Sequence, residues 1–247
     1  MSKIVERTLD FLELFADRKR PLSLSEISKL LGIPISSCHD VLQALHERGY
    51  LYEIAPRAGY YPTLRLLDVA KAIADNDPVV LRAEQTLGAL KDAIDETVLL
   101  SKTNGATSTY LLTLEPAHVL RFRISVGDSL RSLYATSAGK AQLSSWSDEA
   151  LDEYLKTVKL TPFTPNTVTS KSALRTEILA GRKRGWFLNN EESMEGVVTL
   201  SAPFVWNTAV YIVTIAGPKA RLEPKLDWAA QQLLEACRSL EMRPPPR

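Results

Sequence analysis

Residues 23–49 read SLSEISKLLGIPISSCHDVLQALHERG, and this stretch decides the fold of the N-terminal part of the chain. Ser23 and Glu26 have the spacing of a capping box, and Gly32 follows an apolar run, so together they predict a short helix. A longer helical pattern begins after a three-residue turn and ends at Gly49. A short helix, a tight turn and a longer helix predict a helix-turn-helix.

The flanking segments extend this prediction to a winged helix-turn-helix. Apolar residues recur with helical spacing over 3–17, which predicts a first helix. After the helix pair, two β-prone runs flank a turn at 55–59 that contains Pro and Gly, and this pattern predicts a hairpin in the place of a wing. We place the winged helix-turn-helix domain at 1–63 and a linker helix at 64–77, where strong helix breakers end a helical pattern.

The remaining residues predict an α+β domain at 78–241, with an antiparallel sheet flanked by helices. We expect the last residues, 242–247, to form a disordered tail, because three consecutive prolines occur there. Strand-like runs occupy 97–102, 108–114, 118–125, 186–189, 197–204 and 209–216, and helical patterns occupy 79–94, 136–146, 148–156, 170–184 and 224–240.

Composition excludes several classes of protein. The chain has 247 residues, of which 45% are hydrophobic and 24% charged, with 30 Lys and Arg residues against 29 Asp and Glu. These values are typical of a globular protein, and they exclude disordered, collagenous and disulfide-scaffold chains. No apolar run reaches the roughly 18–20 residues of a membrane helix, and the N-terminus lacks a signal-peptide pattern, so we expect a cytoplasmic protein. Cys38 and Cys237 have neither a second Cys nor a His at metal-ligand spacing, so we expect no metal site and no disulfide framework.

The longer helix of the predicted helix-turn-helix carries residues suited to reading DNA. In such a motif this helix lies in the major groove, and its outward side chains meet base edges. Gln bonds adenine in a bidentate manner, Ser reaches bases or phosphates, and Asp accepts from the N4 of cytosine. Basic residues contact phosphates, and an arginine at the wing tip enters the minor groove or contacts phosphate. The candidate residues are Ser36, Ser37, His39, Asp40 and Gln43 on the helix, Arg18 and Arg20 before the helix pair, and Arg57 at the wing tip.

The local charge limits what a single copy of this domain can do. Residues 1–65 contain nine Lys or Arg and eight Asp or Glu residues, which is a weak electrostatic footprint for DNA. A single domain would therefore bind weakly, whereas a dimer doubles the helix and wing contacts, so we expect an oligomer. The alternative is that Ser36, Gln43 and Arg57 belong to the ordinary solvated surface of a helical bundle.

The second domain shows no catalytic constellation. Its one histidine, His118, stands beside a turn, and neither G-x-x-x-x-G-K-[ST] nor G-x-G-x-x-G occurs. We therefore expect neither an enzyme nor a bound cofactor. Small and polar residues interrupt its apolar strands as in a ligand pocket, although the alternative is that they cap a helix and form a solvated turn. These residues lie at 136–140 and 189–192, together with Thr199, Ser201, Thr214 and Ala216.

Ordered motifs in both domains resemble those of a known family. Residues 4–61 are similar to the winged helix-turn-helix of the IclR family of bacterial transcription regulators. Two runs in the second domain are similar to that family's signature loop and acidic strand end, in the same order along the chain. The matching runs are SLSEI at 23–27, LGIP at 31–34, RGYL at 48–51, ATSAGKA at 135–141 and RGWFLNNEE at 184–192.

This resemblance implies a GAF-like effector-binding domain behind the DNA-binding domain, a linker helix that joins them, and dimers that often pair into tetramers. It also implies that a small metabolite, commonly an organic acid or an aromatic breakdown product, controls binding to the operator. The family usually has Arg where this chain has Asp40, and frequently has Asp where it has Asn189. Carried over by position, the effector pocket consists of Ser137, Ala138, Asn189, Glu191, Thr199, Thr214 and Ala216.

Two arginines of the second domain bear on the charge of the effector. Asn189 in place of an acid removes a negative charge, and Arg123 or Arg131, if directed inward, would pair with a carboxylate. These residues favour an anionic effector. The alternative is that both arginines are surface residues on a strand and a loop.

Together these features predict a ligand-responsive repressor that binds a pseudo-palindromic operator in double-stranded DNA as a dimer or tetramer, with no membrane partner. A metabolite bound in the second domain would change the orientation of paired DNA-binding domains through the linker helix. An activator of the same family is the alternative within this class. Outside the class, the alternatives are a metabolite-processing enzyme with an N-terminal interaction module and an interaction scaffold without a DNA role.

Overall fold

A computed structural model of the chain describes residues 3–55, 58–128 and 132–242. It divides into two units, Met1–Asp77 and Pro78–Arg247, each with a hydrophobic core of its own. None of the helices in the described ranges is long and apolar enough to cross a membrane. The sequence-based expectations for Arg57, Arg131 and the tail residues 243–247 fall outside the described ranges.

The N-terminal unit contains the helix-turn-helix and the hairpin that the sequence predicts. The two strands of the hairpin pair antiparallel, with Tyr52 opposite Tyr61. Helices and hairpin pack around a core formed by Phe11, Phe15, Leu22, Ile27, Cys38, Leu42 and Leu51. The elements are α1 (Lys3–Arg18), α2 (Leu24–Leu31), α3 (Ile35–Glu47), β1 (Leu51–Glu53), β2 (Tyr60–Pro62) and α4 (Arg65–Ala74).

The start of α2 is fixed by the predicted capping box. The backbone N–H of Ser23 donates to the Glu26 carboxylate at 2.9 Å, and the backbone N–H of Glu26 donates to Ser23 Oγ at 3.3 Å. The backbone donor of Ser23 is the main cause that lowers the pKa of Glu26 from 4.5 to about 2. Gly32 ends α2 with a φ of 66°, a left-handed conformation that glycine adopts without strain. Because α2 stops there, α3 follows after a short turn.

The C-terminal unit is an α+β domain around a five-stranded antiparallel sheet. Its elements are α5 (Pro78–Ile94), β3 (Thr97–Asn104), β4 (Thr107–Leu114), α6 (Ser137–Ser144), α7 (Asp148–Thr157), α8 (Lys171–Arg184), β5 (Phe187–Asn190), β6 (Val197–Trp206), β7 (Ala209–Pro218), α9 (Lys219–Leu222) and α10 (Leu226–Met242). The strand order is β4-β3-β7-β6-β5. Helices flank both faces, because side chains alternate between the faces along each strand. On β7, for example, Val213 joins the core with α5 and α10, whereas Ile212 joins the core with α6, α7 and α8.

The run at 118–125 is not a strand, so the sequence-based prediction of a strand there is wrong. Its carbonyl groups bond to side chains instead of to a neighbouring strand. Thr97 Oγ1 donates to the carbonyl of Phe122 at 2.7 Å, and Thr113 Oγ1 donates to the carbonyl of Ile124 at 3.3 Å. Phe122 and Ile124 pack against a small buried cluster on the sheet. The alternation in the sequence therefore reflects packing onto the sheet and not pairing within it.

Both cysteines are free and buried in their units. Cys38 lies in the core of the N-terminal unit, and Cys237 lies on the buried face of α10. Burial raises the pKa of each thiol. Because the thiolate is the reactive form, both groups are protected from thiol reagents while the chain is folded.

Candidate functional sites

The outward face of α3 is the first candidate site. One face of α3 packs into the core, and Ser36, His39 and Gln43 are exposed on the other side. Gln43 Nε2 donates to Glu47 Oε1 at 2.8 Å. The amide that would face adenine is therefore engaged by an acidic residue one turn along the same helix. Glu47 is not among the sequence-based candidates, although its i, i+4 spacing from Gln43 is a signal for such a pair.

Ser37 and Asp40, two further candidates for base contact, lie on the flank of α3 that is nearer to α1. Both line a groove of about 560 Å³ between α1, α3 and α4, hereafter the N-terminal groove. The Asp40 carboxylate is 4.0 Å from Nδ1 of His39. The other residues of the groove are mostly apolar and include Ile4, Leu12, Val41, Ala44, Leu45 and Leu66. Ser37 and Asp40 thus border an apolar surface as well as the outward face.

The two candidate arginines before the helix pair form exposed ion pairs. Arg18 Nε is 3.4 Å from the Asp17 carboxylate, and Arg20 Nη1 is 2.9 Å from the Glu26 carboxylate. Both arginine side chains are about half exposed. Exposed ion pairs contribute little free energy, so phosphate can replace either carboxylate at small cost. The third candidate, Arg57, lies outside the described residues.

The second candidate site is a small cavity in the C-terminal unit, with a volume of about 40 Å³. Five of the eight residues predicted to bind an effector line it, and they come from the start of α6, from β5 and from β6 and β7. These five are Ser137, Ala138, Asn189, Thr199 and Thr214. The other residues that line it are Leu99, Tyr110, Phe122, Thr136, Ser193 and Val197.

Four buried hydroxyl groups beside this cavity form a continuous hydrogen-bonded chain. Ser137 Oγ shares a hydrogen bond of 2.5 Å with Thr199 Oγ1 and one of 2.8 Å with Ser201 Oγ, and Ser201 Oγ shares one of 2.7 Å with Thr214 Oγ1. This pairing allows apolar strands to carry buried hydroxyls without loss of hydrogen bonds. Ser201 is not among the residues predicted to bind an effector, although alternation puts it on the same face of β6 as Thr199.

The signature run at 135–141 forms the start of α6. Thr136 caps this helix, because its Oγ1 accepts a hydrogen bond from the backbone N–H of Gly139 at 3.0 Å. A Cβ at Gly139 would lie 2.4 Å from the Cα of Leu133, so only glycine permits this close approach of the preceding chain. The first turn of α6, which carries Ser137 and Ala138, is thereby fixed at the cavity wall.

A buried ion cluster holds the loop that follows β5. Lys140 is completely buried, and its Nζ donates to Glu177 at 2.6 Å and to Glu192 at 2.5 Å. Burial raises the pKa of Glu192, although the charge of Lys140 opposes this shift. The backbone N–H of Glu192 donates to Asn189 Oδ1 at 2.7 Å, and Asn189 Nδ2 donates to Ser193 Oγ at 2.8 Å. The cluster therefore supports two residues of the cavity wall.

Two residues predicted to bind an effector, Glu191 and Ala216, are not part of the described cavity lining. Glu191 accepts a hydrogen bond from Lys219 Nζ at 2.6 Å, and this lysine holds the pKa of the carboxyl below its usual range. Ala216 is completely buried in a small apolar cluster with Leu99 and Tyr110. It therefore backs the cavity wall without facing the cavity.

Arg123, which the sequence predicts to meet an effector carboxylate if it points inward, is 72% exposed. Its Nε is 3.1 Å from the Glu115 carboxylate, which also binds Arg121 at 2.5 Å. Arg123 is not part of the described cavity lining either. The inference of an anionic effector thus loses the support of this arginine, and Arg131 lies outside the described residues.

The chemistry of the cavity suits binding by hydrogen bonds and shape. Burial raises the pKa of Tyr110, the titratable residue in the described lining, to about 12, so it stays protonated at neutral pH. Hydroxyl and amide groups donate and accept hydrogen bonds but do not act as bases near neutral pH. Among the described residues, no three or more His, Cys, Asp or Glu side chains are grouped to hold a metal ion.

Comparisons with known proteins match both units. The IclR helix-turn-helix domain matches residues 4–54, and the C-terminal domain of bacterial IclR transcriptional regulators matches residues 71–242. The HTH-type transcriptional regulator XynR of Escherichia coli K12 is 29% identical over 204 residues, which cover 82% of this chain and 80% of XynR. The HTH-type transcriptional repressor AllR of the same strain is 25% identical over 223 residues, covering 90% of this chain and 82% of AllR. The crystal structure of an IclR homologue from Microbacterium hydrocarbonoxydans, complexed with 4-hydroxybenzoate, has a TM-score of 0.76 at 20% identity, covering 97% of this chain and 98% of that one.

These matches establish the class of the protein. The two matched domains occur in the order of the two units, and the C-terminal match alone covers more than half of the chain. The matched domains and relatives are transcriptional regulators and not enzymes, and a helix-turn-helix regulator binds DNA. The solved homologue agrees in fold, with helices flanking an antiparallel sheet. The chain belongs to the IclR family of bacterial transcriptional regulators.

Proposed function

We propose that this protein is a transcriptional repressor whose affinity for its operator is controlled by a small metabolite bound in the cavity of the C-terminal unit. One observation carries the proposal: five residues from separate segments of the chain meet at a single buried polar cavity. Its lining combines hydroxyl and amide groups with apolar side chains, which is the combination typical of small-molecule sites.

Two relatives support the finer parts of this proposal. The Microbacterium homologue binds 4-hydroxybenzoate in its crystal structure, and AllR is a repressor. By analogy within the family, we take an organic acid or an aromatic compound as the class of effector. We assign it no charge, because the nearest candidate cation, Arg123, pairs with Glu115 outside the cavity.

On the DNA side, the exposed face of α3 is the proposed reading surface. Gln43 becomes available to a base when its amide leaves Glu47, an exchange of one exposed hydrogen bond for another. Exposed arginines supply the contacts to phosphate that fix the register on the duplex. The proposed base contacts are Ser36, Ser37, His39, Asp40 and Gln43, and the proposed phosphate contacts are Arg18, Arg20 and Arg57.

Exposed apolar residues on α1 and α4 support self-association through the N-terminal unit. The ten residues of α4 include none that is buried, and Ile73 is 69% exposed. On α1, Ile4 is 68% exposed at the edge of the N-terminal groove. An isolated helix of about this length is marginal in water, so α4 needs a partner surface. A second copy of this chain is the proposed partner, since a dimer pairs two reading helices on a pseudo-palindromic operator.

We assign the three functional segments as the sequence indicates: DNA binding to 1–63, linkage to 64–77 and effector binding to 78–241. In this arrangement α4 carries the coupling between metabolite and DNA. Coupling of this kind is reciprocal, so the metabolite and the operator must change each other's affinity by the same factor.

The decisive experiment is a titration of the full-length protein onto a labelled DNA fragment from upstream of its own gene, followed by fluorescence anisotropy at fixed salt. Unrelated DNA serves as competitor. We expect saturable binding that prefers the upstream fragment and that changes when metabolites are added, beginning with 4-hydroxybenzoate. Equal and strongly salt-dependent binding to both DNAs would contradict an operator in this fragment.

The sign of regulation needs a second measurement. Deletion of the gene should raise transcription of the neighbouring genes, because a repressor would then be lost. A fall in transcription would identify an activator and would overturn the repressor assignment. Measurement of the added metabolite over time should show no consumption.

A further inference from the structure

An open groove lies directly outside the cavity in the C-terminal unit. It has a volume of about 410 Å³, and we call it the outer groove. Phe122 and Val197 line both the outer groove and the cavity, so these two side chains separate the two spaces. The outer groove is otherwise lined by residues that include Leu120, Arg121, Arg123, Met194, Gly196 and Pro218.

The cavity is too small for the ligand that its chemistry suits. Sites for small molecules have volumes of roughly 300–1,000 Å³, whereas the cavity has about 40 Å³, enough for water alone. The outer groove and the cavity together reach this range. A metabolite that reaches the hydroxyl chain must therefore displace a side chain that separates them.

The segment that carries Phe122 is held by contacts that can be rearranged. Three alternate carbonyls, those of residues 120, 122 and 124, accept hydrogen bonds from side chains. Arg221 Nη2 donates to the first at 3.0 Å, Thr97 Oγ1 to the second at 2.7 Å and Thr113 Oγ1 to the third at 3.3 Å. A side-chain donor is released by a rotation about its own bonds, so the segment can shift without any break in the sheet.

The segment is also fixed on both sides of Phe122. At one end, Arg121 binds both Glu115 at 2.5 Å and the carbonyl of His118 at 2.8 Å. At the other end, the backbone of Tyr110 exchanges two hydrogen bonds with the chain at 127–128. Phe122 lies between these anchors and packs on the apolar cluster beside the cavity. A short displacement of the middle of the segment is therefore enough to move its ring.

Charge in the outer groove gives little selection among ligands. Arg121 and Arg123 line the outer groove and share the carboxylate of Glu115, which is not in the described lining, and Glu195 adds a negative charge to the lining itself. The formal charges of these four side chains cancel. The outer groove therefore attracts neither anions nor cations strongly, and size and shape remain as the basis of selection.

From these observations we propose that Phe122, which lines both spaces together with Val197, is the gate between the outer groove and the cavity, and that its ring sets the largest effector the protein admits. The inference rests on the proposed function of the cavity as an effector site. Phe122 is thus a specificity-determining residue, and the 118–125 segment is the part that moves when a ligand passes. A ligand reaches the cavity only when the ring is displaced, and bulkier ligands require a larger displacement.

The test uses a cysteine in the cavity, so it needs neither the effector nor the operator. In the full-length chain with Ala138→Cys, the rate of reaction of the new thiol reports how often the gate opens. The probes are methyl methanethiosulfonate, which is small, and 5,5′-dithiobis(2-nitrobenzoate), which is bulky. The native thiols are buried, and Cys237 labels in parallel if the unit unfolds globally. Ser193→Cys gives a second position on the cavity wall if Ala138→Cys does not fold.

Two substitutions on the same segment separate the gate from general loosening. We expect Phe122→Ala to raise the labelling rate about tenfold or more, with the larger rise for the bulky reagent, because the barrier side chain is gone. Phe122→Leu should give an intermediate rate. Leu120→Ala is the matched control, because Leu120 is 70% exposed in the outer groove and does not line the cavity. The labelling rate in this variant should stay within about twofold of the rate without the substitution.

Three outcomes would overturn the gate. In the first, Phe122→Ala leaves the labelling rate of the introduced cysteine unchanged. In the second, Leu120→Ala raises this rate as much as Phe122→Ala does, and in the third, Cys237 is labelled in parallel. If no metabolite ever changes DNA binding but Phe122→Ala still accelerates labelling, the gate stands and the proposed regulation fails. If metabolites act but labelling is unaffected by Phe122, the regulation stands and the gate fails.

Discussion

The N-terminal groove has a volume of about 560 Å³ and is mostly apolar, whereas the cavity of the C-terminal unit has about 40 Å³ and is bordered by hydroxyl and amide groups. Volume alone would select the groove as the small-molecule site. The helices beside the groove, α1 and α4, carry large exposed apolar residues, which is typical of a surface that binds protein. The cavity holds convergent polar groups of the kind that fix the orientation of a small ligand in known sites. The chemistry of the lining, and not its size, indicates the occupant.

The helices that border the N-terminal groove and the cavity show the same contrast. Seven of the eight residues of α6 are buried, including Lys140, whereas none of the ten residues of α4 is buried. Tertiary packing inside the unit therefore stabilises α6. For α4 the stabilising surface has to come from elsewhere, which makes this helix the part of the N-terminal unit most sensitive to association.

The largest expected effect tests the closed interior of the C-terminal unit. Lys140→Ala should destabilise this unit by about 3–5 kcal/mol, because it leaves two carboxylates without their shared buried cation. The surface control Lys156→Ala, at a side chain 72% exposed beside Glu153, should cost less than about 1 kcal/mol. Urea unfolding followed by tryptophan fluorescence measures both, since all four tryptophans lie in the C-terminal unit. Equal effects of the two substitutions would show that the cluster is not a buried support.

The next effect tests α4 as a surface that needs a partner. Ile73→Asp should weaken dimerisation about a hundredfold, because it buries a charge in an apolar interface. Sedimentation equilibrium measures the dissociation constant. Ala72→Asp adds the same charge about 100° around α4 from Ile73, on the side that carries Asp68, and should change the dissociation constant little. If both substitutions weaken dimerisation equally, or if neither weakens it, this face of α4 is not part of the interface. The stability of the C-terminal unit, measured by tryptophan fluorescence, should be unaffected in either variant.

An effect of intermediate size tests the reading face of α3. Gln43→Ala should reduce the preference for one base pair by about 1–3 kcal/mol, because a bidentate contact is lost. Glu47→Ala should strengthen binding to operator and unrelated DNA, since it removes a negative charge from the proposed DNA surface, and it should strengthen operator binding more, since it also frees Gln43. Binding to a set of single-base operator variants at fixed salt distinguishes the two. An unchanged preference in Gln43→Ala would exclude Gln43 from base reading.

A smaller effect tests the hydroxyl chain beside the cavity. Ser201→Ala should destabilise the C-terminal unit by about 1–2 kcal/mol, because Thr214 and Ser137 lose a buried partner. Ser101 is a matched control on the same sheet, since its buried Oγ has no hydrogen-bond partner among the described residues. Ser101→Ala should therefore be neutral or stabilising. A loss at Ser101 as large as at Ser201 would show that burial alone, and not the chain, determines the cost.

The smallest effect is confined to the N-terminal unit and to acid. The pKa of Glu26 is lowered to about 2 in the folded unit, so its contribution to stability is present above pH 4.5 and is lost as the pH falls towards 2. The protection of the α2 backbone amides against hydrogen exchange, relative to the intrinsic exchange rate at each pH, should therefore fall over this range. Glu26→Gln, which does not titrate, should flatten the acid dependence of α2 and leave α6 unchanged. If the acid dependence of α2 persists in Glu26→Gln, it is caused by other carboxylates.

The sequence predicts those parts of the fold that depend on neighbours along the chain. The capping box of Ser23 and Glu26 involves residues three positions apart, so its pattern alone places the start of α2. The run at 118–125 has the alternation of a strand, but alternation describes which side chains are apolar and not what the backbone pairs with. Its backbone carbonyl groups accept hydrogen bonds from the side chains of Thr97 and Thr113, and the residues of the run itself do not indicate these partners.

The candidate sites also divide into features that the sequence predicts and features that depend on residues far away along the chain. The resemblance groups Ser137, Thr199 and Thr214, and the three line one cavity in the structure, because positions in a shared fold carry over with their strands. It does not extend to Arg123, whose direction depends on the side chain of Glu115. The ion cluster of Lys140 is likewise absent from the sequence pattern, since its partners stand 37 and 52 residues away.

The chain of hydroxyls from Thr199 to Thr214 has no fixed polarity, because either oxygen can donate in each of its three hydrogen bonds. When each hydroxyl of the chain donates towards Thr214, the Thr214 hydroxyl is free to donate to a ligand and the Thr199 hydroxyl is free to accept from one. When all three hydrogen bonds reverse, the two ends exchange these roles. Both ends line the cavity. The wall can thus match a ligand carbonyl or a ligand hydroxyl at either position by proton rearrangement alone, with no movement of heavy atoms. Within the family, a change of effector would then require new apolar neighbours and could leave these hydroxyls as they are.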